Sequence, residues 1–241
     1  MENSKNVSTG RKRPQNRRRQ EEQRRRRTTI LVITVVAALI IAAIVVVPPL
    51  IAANAPVGDI ATAQSLARPQ TNGLSMGNPN APVKVVEYAD FQCPYCKQFV
   101  EQGEPQLISQ YVAPGKVYVT FMPFSFLGQE SLDSAEAAYC ANDQGKFWQY
   151  HDILYANQKG ENQGDFTTSR LKAFAQTLGL DTAQFNQCLD SHKYKDQVQQ
   201  DNTTAQQNGV SGTPSFAVNG KIVDANSVFA TIDQDLATAQ P

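Results

Sequence analysis

Cys93 and Cys96 frame the tetrapeptide Cys93-Pro94-Tyr95-Cys96, which follows a valine-rich stretch and heads a segment patterned as a helix. Two thiols at this spacing on a helix start are close enough to form a disulfide. The first also faces the positive end of the helix dipole, which favours thiolate over thiol. Cysteines in such sites have pKa values from about 3.5 to 7.5, against about 8.5 when free. The chemistry is thiol–disulfide exchange. Cys93 is the expected attacking sulfur. Cys96, one turn further in and buried, is the expected resolving partner. Pro94 and Tyr95 tune the pair, and Tyr95 supplies no positive charge beside the sulfur.

The pair needs a scaffold. Val83-Lys84-Val85-Val86-Glu87-Tyr88 predicts a buried strand over roughly 83–89. A helix is expected from about Pro94 to Tyr111, with proline tolerated in its first turn. Lys116–Phe121 reads as the next strand, giving a β-α-β unit with parallel strands. A helical block is expected over about 129–206. Within it Leu171, Phe174, Ala175 and Leu178 share a face ahead of a stop at Gly179. Asp181 to Gln184 resembles a capping box, with Phe185, Cys188, Leu189 and His192 along one face. Pro214–Val218 and Lys221–Val223 read as strands joined by the hairpin turn Asn219-Gly220. A final amphipathic helix is expected over Asn226–Ala239. The order is β-α-β, a helical insertion, then β-β-α.

Charge divides the chain unevenly. The whole is neutral, but residues 1–27 carry a net +8, including nine arginines, and the remainder carries −8. An apolar run follows from Ile30 to Val47, interrupted by Thr34. As a helix it spans about 27 Å, near the thickness of a hydrocarbon core. Arginines on its N-terminal side orient it with that end cytoplasmic and everything after Pro48 outside. The expected organisation is a basic cytoplasmic tail (1–29), a transmembrane signal-anchor (30–52), a flexible linker (53–80) and a folded domain (81–241). The alternative is a signal peptide cleaved after Ala53-Asn54-Ala55; the long basic region, the long apolar run and Pro56 after the cut argue against it. An arginine-rich arm can also bind nucleic acid, but its place beside an apolar run makes orientation and anionic-lipid contact the simpler reading. All four cysteines lie beyond the run, consistent with an oxidising compartment.

Met76-Gly-Asn-Pro-Asn-Ala-Pro-Val83, followed by Val85 to Cys96, resembles the opening of the DsbA-like thiol:disulfide oxidoreductases of the thioredoxin superfamily. Ala137 to Cys140 and Gly145 to Asp152 resemble that family's helical insertion, and Gly212-Thr213-Pro214-Ser-Phe its cis-proline loop. The resemblance covers about Gly77 to the C-terminus. It implies an α/β thioredoxin fold with a helical insertion. It also implies that Thr213-Pro214 is a cis peptide facing the disulfide, whose backbone pairs with substrate. Glu87 matches the family's buried acid beneath the resolving cysteine, with a role as proton relay to Cys96; the plainer reading is a glutamate on an exposed strand face. Pro94-Tyr95 departs from the Pro-His of the family's strongest oxidants.

Cys140 and Cys188, 48 residues apart, are expected to form a structural disulfide stapling the insertion. A second redox pair and a four-thiol zinc site are the alternatives, and the absence of further C-x-x-C spacing weighs against both. His151 and His192 read as packing histidines, and Phe147, Trp148 and Tyr150 as core. No cofactor or metal is expected. The resemblance implies reduced or unfolded exported proteins as substrates and a quinone-linked membrane reoxidase of DsbB or VKOR type. A monomer is expected, with no nucleic-acid partner. The rivals are a reductase or isomerase, and a holdase that grips unfolded chains.

Overall fold

The computed structural model describes residues 24–42, 57–62 and 66–239. The chain divides into one unit up to Asn54 and another from Ala55. The first contains a helix over 24–42 (α1), which opens with Arg24 to Arg27 and carries exposed Leu31, Ile33, Leu39 and Ile41. It takes in residues 30–42 of the apolar run. The rest of the run, the basic tail up to residue 23 and Ala53-Asn54-Ala55 lie outside the described residues. Among the described residues no helix is long and apolar enough to cross a membrane, so the anchor expected over 30–52 is not seen as a spanning helix.

The second unit is built on a five-stranded sheet. Its strands are β1 (Ser75–Met76), β2 (Val83–Ala89), β3 (Val117–Pro123), β4 (Ser215–Val218) and β5 (Lys221–Asp224), in the order β1-β3-β2-β4-β5. β2 and β3 run parallel, in the register Val85 to Val119 and Glu87 to Phe121; the other pairs are antiparallel. This is the β-α-β and β-β-α arrangement of a thioredoxin fold. Alternation decides the faces of β2. Val83, Val85, Glu87 and Ala89 point into the main core with Val117, Val119 and Phe121, whereas Tyr88 joins Phe124, Ala205, Val210 and Ala217 in a smaller cluster. Asn219 and Gly220, both at positive φ, make the tight turn between β4 and β5.

The expected helix over 94–111 is interrupted. It breaks into α2 (Pro94–Gln102), α3 (Glu104–Leu107) and a π-helical turn over Ile108–Val112. Pro105 has no N–H to donate one turn back, so the continuous ladder stops at Gly103. The insertion holds α4 (Gln129–Asn142), α5 (Phe147–Asn157), α6 (Thr168–Thr177), α7 (Thr182–Asp190) and α8 (Lys195–Gln207), and the chain ends in α9 (Val228–Thr238). Asp181 caps α7 by accepting the amides of Ala183 and Gln184. Phe147, Trp148 and Tyr150 are buried on α5. His151 is buried too, but His192 is a correction. α7 ends at Asp190, and His192, at positive φ beyond it, is exposed with its ring 3.3 Å from Glu136.

The segment expected as a flexible linker is the larger correction. Residues 57–62 and 66–80 lie against the folded unit. The side-chain amide of Asn157 exchanges two hydrogen bonds with the backbone of Ala61, Arg170 donates to the Val57 carbonyl, and Ile60, Leu66 and Leu74 pack on the core. The chain then adds β1 to the sheet edge. Gly77, at φ +93°, passes so close to β3 that a Cβ there would sit 2.7 Å from the Val117 carbonyl. Proline and glycine in this segment shape a docked strap.

Cys140 of α4 and Cys188 of α7 are joined by a disulfide closing a 48-residue separation. Both are buried, and the bond staples two helices of the insertion. Replacing both by serine should cost about 2–4 kcal/mol in denaturant unfolding, with the chain-entropy value of about 4 kcal/mol as the upper figure. Cys93 reactivity in the folded variant should stay within about twofold, because the staple does not touch the α2 start.

Candidate active site

The turn Asp90-Phe-Gln-Cys93 converts β2 into α2, and Asp90 organises it. One carboxylate oxygen accepts the Gln92 amide at 2.9 Å and the Ser131 hydroxyl at 2.7 Å; the other accepts the amides of Phe126 and Leu127. Its carbonyl accepts the Cys93 amide at 3.0 Å. The Gln158 side chain donates to the carbonyls of Phe91 and Cys93, at 3.0 and 2.8 Å. These contacts fix the backbone on which Cys93 sits. An aspartate three residues before a helix start is a turn signal legible in sequence. Gln158 gives no local signal, since its partners are 65 and 67 residues away.

Cys93 is the cap residue of α2, followed by Pro94 in the first helical position. Cys93 and Cys96 are free thiols, both buried. Their surroundings differ. The Cys93 pKa is lowered to about 6, chiefly because the Cys96 thiol donates to its sulfur. Burial opposes this, and the Thr213 side chain and the amides of Cys96 and Tyr95 add to it. Cys96 is pushed well above its ordinary value, first by burial and then by the neighbouring Cys93. The shifts run in opposite directions: the first sulfur is the more acidic of the two and the second the less.

The Thr213–Pro214 peptide is cis, and the Thr213 carbonyl lies 3.3 Å from the Cys93 sulfur as acceptor of the thiol. The cis-proline loop and the two sulfurs are thus brought together, as are Pro94 and Tyr95, with Tyr95 72% exposed. A cleft of about 420 Å³ runs from Tyr95, Thr213 and Pro214 past Phe99 and Gln102 to Phe229. Cys140 and Cys188 are not part of this constellation.

Glu87 is 2% exposed on β2, between Phe121 and Phe216 on the neighbouring strands, and its Oε1 has no hydrogen-bond partner. Burial first, and Glu104 second, push its pKa up to about 8, while Arg68 opposes the shift. Tyr155 of α5 is buried, and its hydroxyl reaches the Asp90 carbonyl at 3.3 Å.

The thioredoxin family model matches residues 70–236. The chain belongs to the thioredoxin family. As a member of it, it is 36% identical over 169 residues to the probable disulfide bond formation protein D of Bacillus cereus, covering 67% of this chain and 78% of that one. A Na(+)/H(+) antiporter NhaA 3 of Salinispora tropica is 38% identical over 145 residues, but the match takes in 60% of this chain and only 21% of the antiporter. The crystal structure of oxidised BdbD from Bacillus subtilis superposes with a TM-score of 0.63 at 27% identity, covering 73% of this chain and all of that one. This thioredoxin-family chain, with a DsbA-like helical insertion, is a thiol:disulfide oxidoreductase.

Two outcomes follow from the asymmetry and from Glu87. The ultraviolet absorbance of the Cys93 thiolate should titrate near pH 6 in the reduced protein, and Cys96→Ala should move that midpoint upward by removing the leading hydrogen bond to the sulfur. Glu87 has its folded pKa raised above its ordinary 4.5, so its contribution to stability is fully present below that value and is lost as pH rises through about 8. Glu87→Gln should therefore stabilise the fold near pH 7 by on the order of 2 kcal/mol, and the gain should vanish below the ordinary glutamate range. Urea unfolding at the two pH values measures it.

Proposed function

We propose that this protein introduces disulfide bonds into exported proteins, working on the outer face of the cell membrane from a single N-terminal anchor. The unequal pair Cys93 and Cys96 carries the reading. A substrate thiolate attacks Cys93 of the oxidised pair, the bond between the two cysteines breaks, and Cys96 leaves. Glu87 supplies the proton that Cys96 takes up, since a buried neutral carboxyl can donate one near neutral pH. A second substrate thiolate then attacks the substrate sulfur of the mixed disulfide, and Cys93 leaves as a thiolate. The substrate loses two electrons and the cysteine pair gains them.

A stabilised Cys93 thiolate makes a good leaving group and lowers the free energy of the reduced pair. Both effects favour oxidation of the substrate. This stabilisation is present above pH 6, grows with pH up to the ordinary thiol value of 9, and is lost as pH falls through 6. The names of the Bacillus relatives agree with the direction. The cleft beside Thr213 and Pro214 accepts an extended, unfolded segment of the substrate. Exposed Tyr95 and Phe126 are large apolar side chains on the folded unit that suit such a ligand.

Arg24 to Arg27 at the head of an apolar run support an anchor with a cytoplasmic N-terminus. The reduced pair needs reoxidation, for which a membrane reoxidase of DsbB or VKOR type is the proposed partner. The enzyme acts as a monomer and uses no cofactor beyond its own cysteines.

Equilibration of the purified protein with glutathione tests the direction. A potential near about −120 mV is expected for an oxidant, and one near about −270 mV would assign the protein to reduction. Cys93→Ser should abolish turnover of reduced substrate. A variant that kept its biological role would point to holdase activity.

A further inference from the structure

The segment that follows α5 reaches back to the redox turn at three consecutive residues. Gln158 is 4% exposed, and its Nε2 donates to the Phe91 carbonyl at 3.0 Å and to the Cys93 carbonyl at 2.8 Å. Between them, the side-chain oxygen of buried Gln92 accepts the Asn162 amide at 2.6 Å. Gln158 is itself held from α2, where the Lys97 ammonium donates to its carbonyl at 2.8 Å. The far end of the segment is closed from α4. Both oxygens of Glu130 accept backbone amides there, from Gly164 at 2.9 Å and from Phe166 at 2.8 Å. Asn162 also donates to the Leu127 carbonyl at 2.9 Å, and a Cβ at Gly128 would collide with its side chain.

Pro94 makes these contacts matter. The peptide between Cys93 and Pro94 has no N–H, so its carbonyl is the only group by which hydrogen bonds can hold it. That carbonyl accepts the Lys97 amide at 3.1 Å from within α2 and the Gln158 side chain from outside the helix. Rotating this peptide plane reorients the start of α2, and with it the open first-turn amides beside the Cys93 sulfur. We propose that Gln158 is a positioning residue of the redox site: the segment 158–166, closed by Glu130, brackets the turn from Phe91 to Cys93 and holds the Cys93–Pro94 peptide plane, so that the first-turn amides stay aimed at the attacking sulfur. This role rests on exchange through Cys93 and holds whichever way the pair runs. A segment that merely covered the sheet would contribute to stability and leave the acidity of the sulfur unchanged.

In the full-length protein, Gln158→Met keeps the length of the side chain and removes both donations. The ultraviolet titration midpoint of Cys93 should rise by about half a pH unit or more. At about pH 8, the equilibrium with glutathione should move by the same factor, about threefold, towards the Cys93–Cys96 disulfide. Glu130→Ala removes the two bonds that close the far end of the segment. It should move both readings in the same direction by a smaller amount, and it carries the test alone if Gln158→Met does not fold. Urea unfolding is read in the same variants. A folded variant that loses stability while midpoint and equilibrium stay where they were overturns the inference. An absolute potential on the reducing side that still shifts with the variants would leave the inference standing and sink the oxidant reading instead.

Discussion

Two sulfurs one helical turn apart would be interchangeable if their surroundings were alike, and exchange would then have no direction. The start of α2 makes them unequal. The cap position gives Cys93 the open amides of the first turn, and the next turn puts Cys96 under the helix, against the core. A hydrogen bond from the second sulfur to the first then couples them: what makes one acidic makes the other basic. Both effects require the turn before α2 to be held still, which explains how many buried donors are spent on Asp90 and on the carbonyls of Phe91 and Cys93.

The rest of the domain serves that turn from several directions. The parallel pair β2 and β3 delivers Asp90 and the 124–127 loop to the same end of the sheet, where one carboxylate bridges them. α4 supplies Ser131, the end of α5 supplies Tyr155, and Gln158 follows directly after it. The insertion is therefore part of the site's support as well as a cover for the sheet. Its own integrity is secured elsewhere, by the bond between α4 and α7 and by the aromatic cluster of Phe121, Phe147, Trp148 and His151. Stability and chemistry are thus assigned to separate cysteine pairs.

Much of this was legible in the chain. The β2 strand, the α2 start, the helical insertion and the Asn219-Gly220 hairpin all rest on local patterns: alternation, capping residues and turn chemistry. The corrections within the fold arise where a local pattern met a non-local partner, a single proline or a helix end. Pro105 divided a helix whose apolar periodicity ran on past it. The residues before β1 carry the glycine and proline content of a linker, but Leu66 and Leu74 pack on the core and Arg68 finds buried partners on α3 and α5 that no nearby residue announces. His192 was misplaced for a related reason: its spacing fits the face of α7, and only the helix end at Asp190 removes it. In the site, Cys93, Cys96 and Pro214 come from motif spacing, whereas Tyr155 and Gln158 become visible only once α5 is laid against β2.

The handling of buried charge supplies the last step. Desolvating a carboxylate is costly unless it is paired, and breaking a buried pair costs more than never having formed it. The fold meets this for Glu104 and Asp152 by closing a guanidinium over both, and for Asp90 by surrounding it with donors. Glu87 alone among these acids keeps an unpartnered oxygen. A packing role would be served better by a leucine at that position, since an apolar side chain avoids the penalty of an orphaned polar group. A buried acid with an unpartnered oxygen is poorly suited to holding a sheet together. The proton transfer to Cys96 proposed for it accounts for a carboxyl kept at that cost.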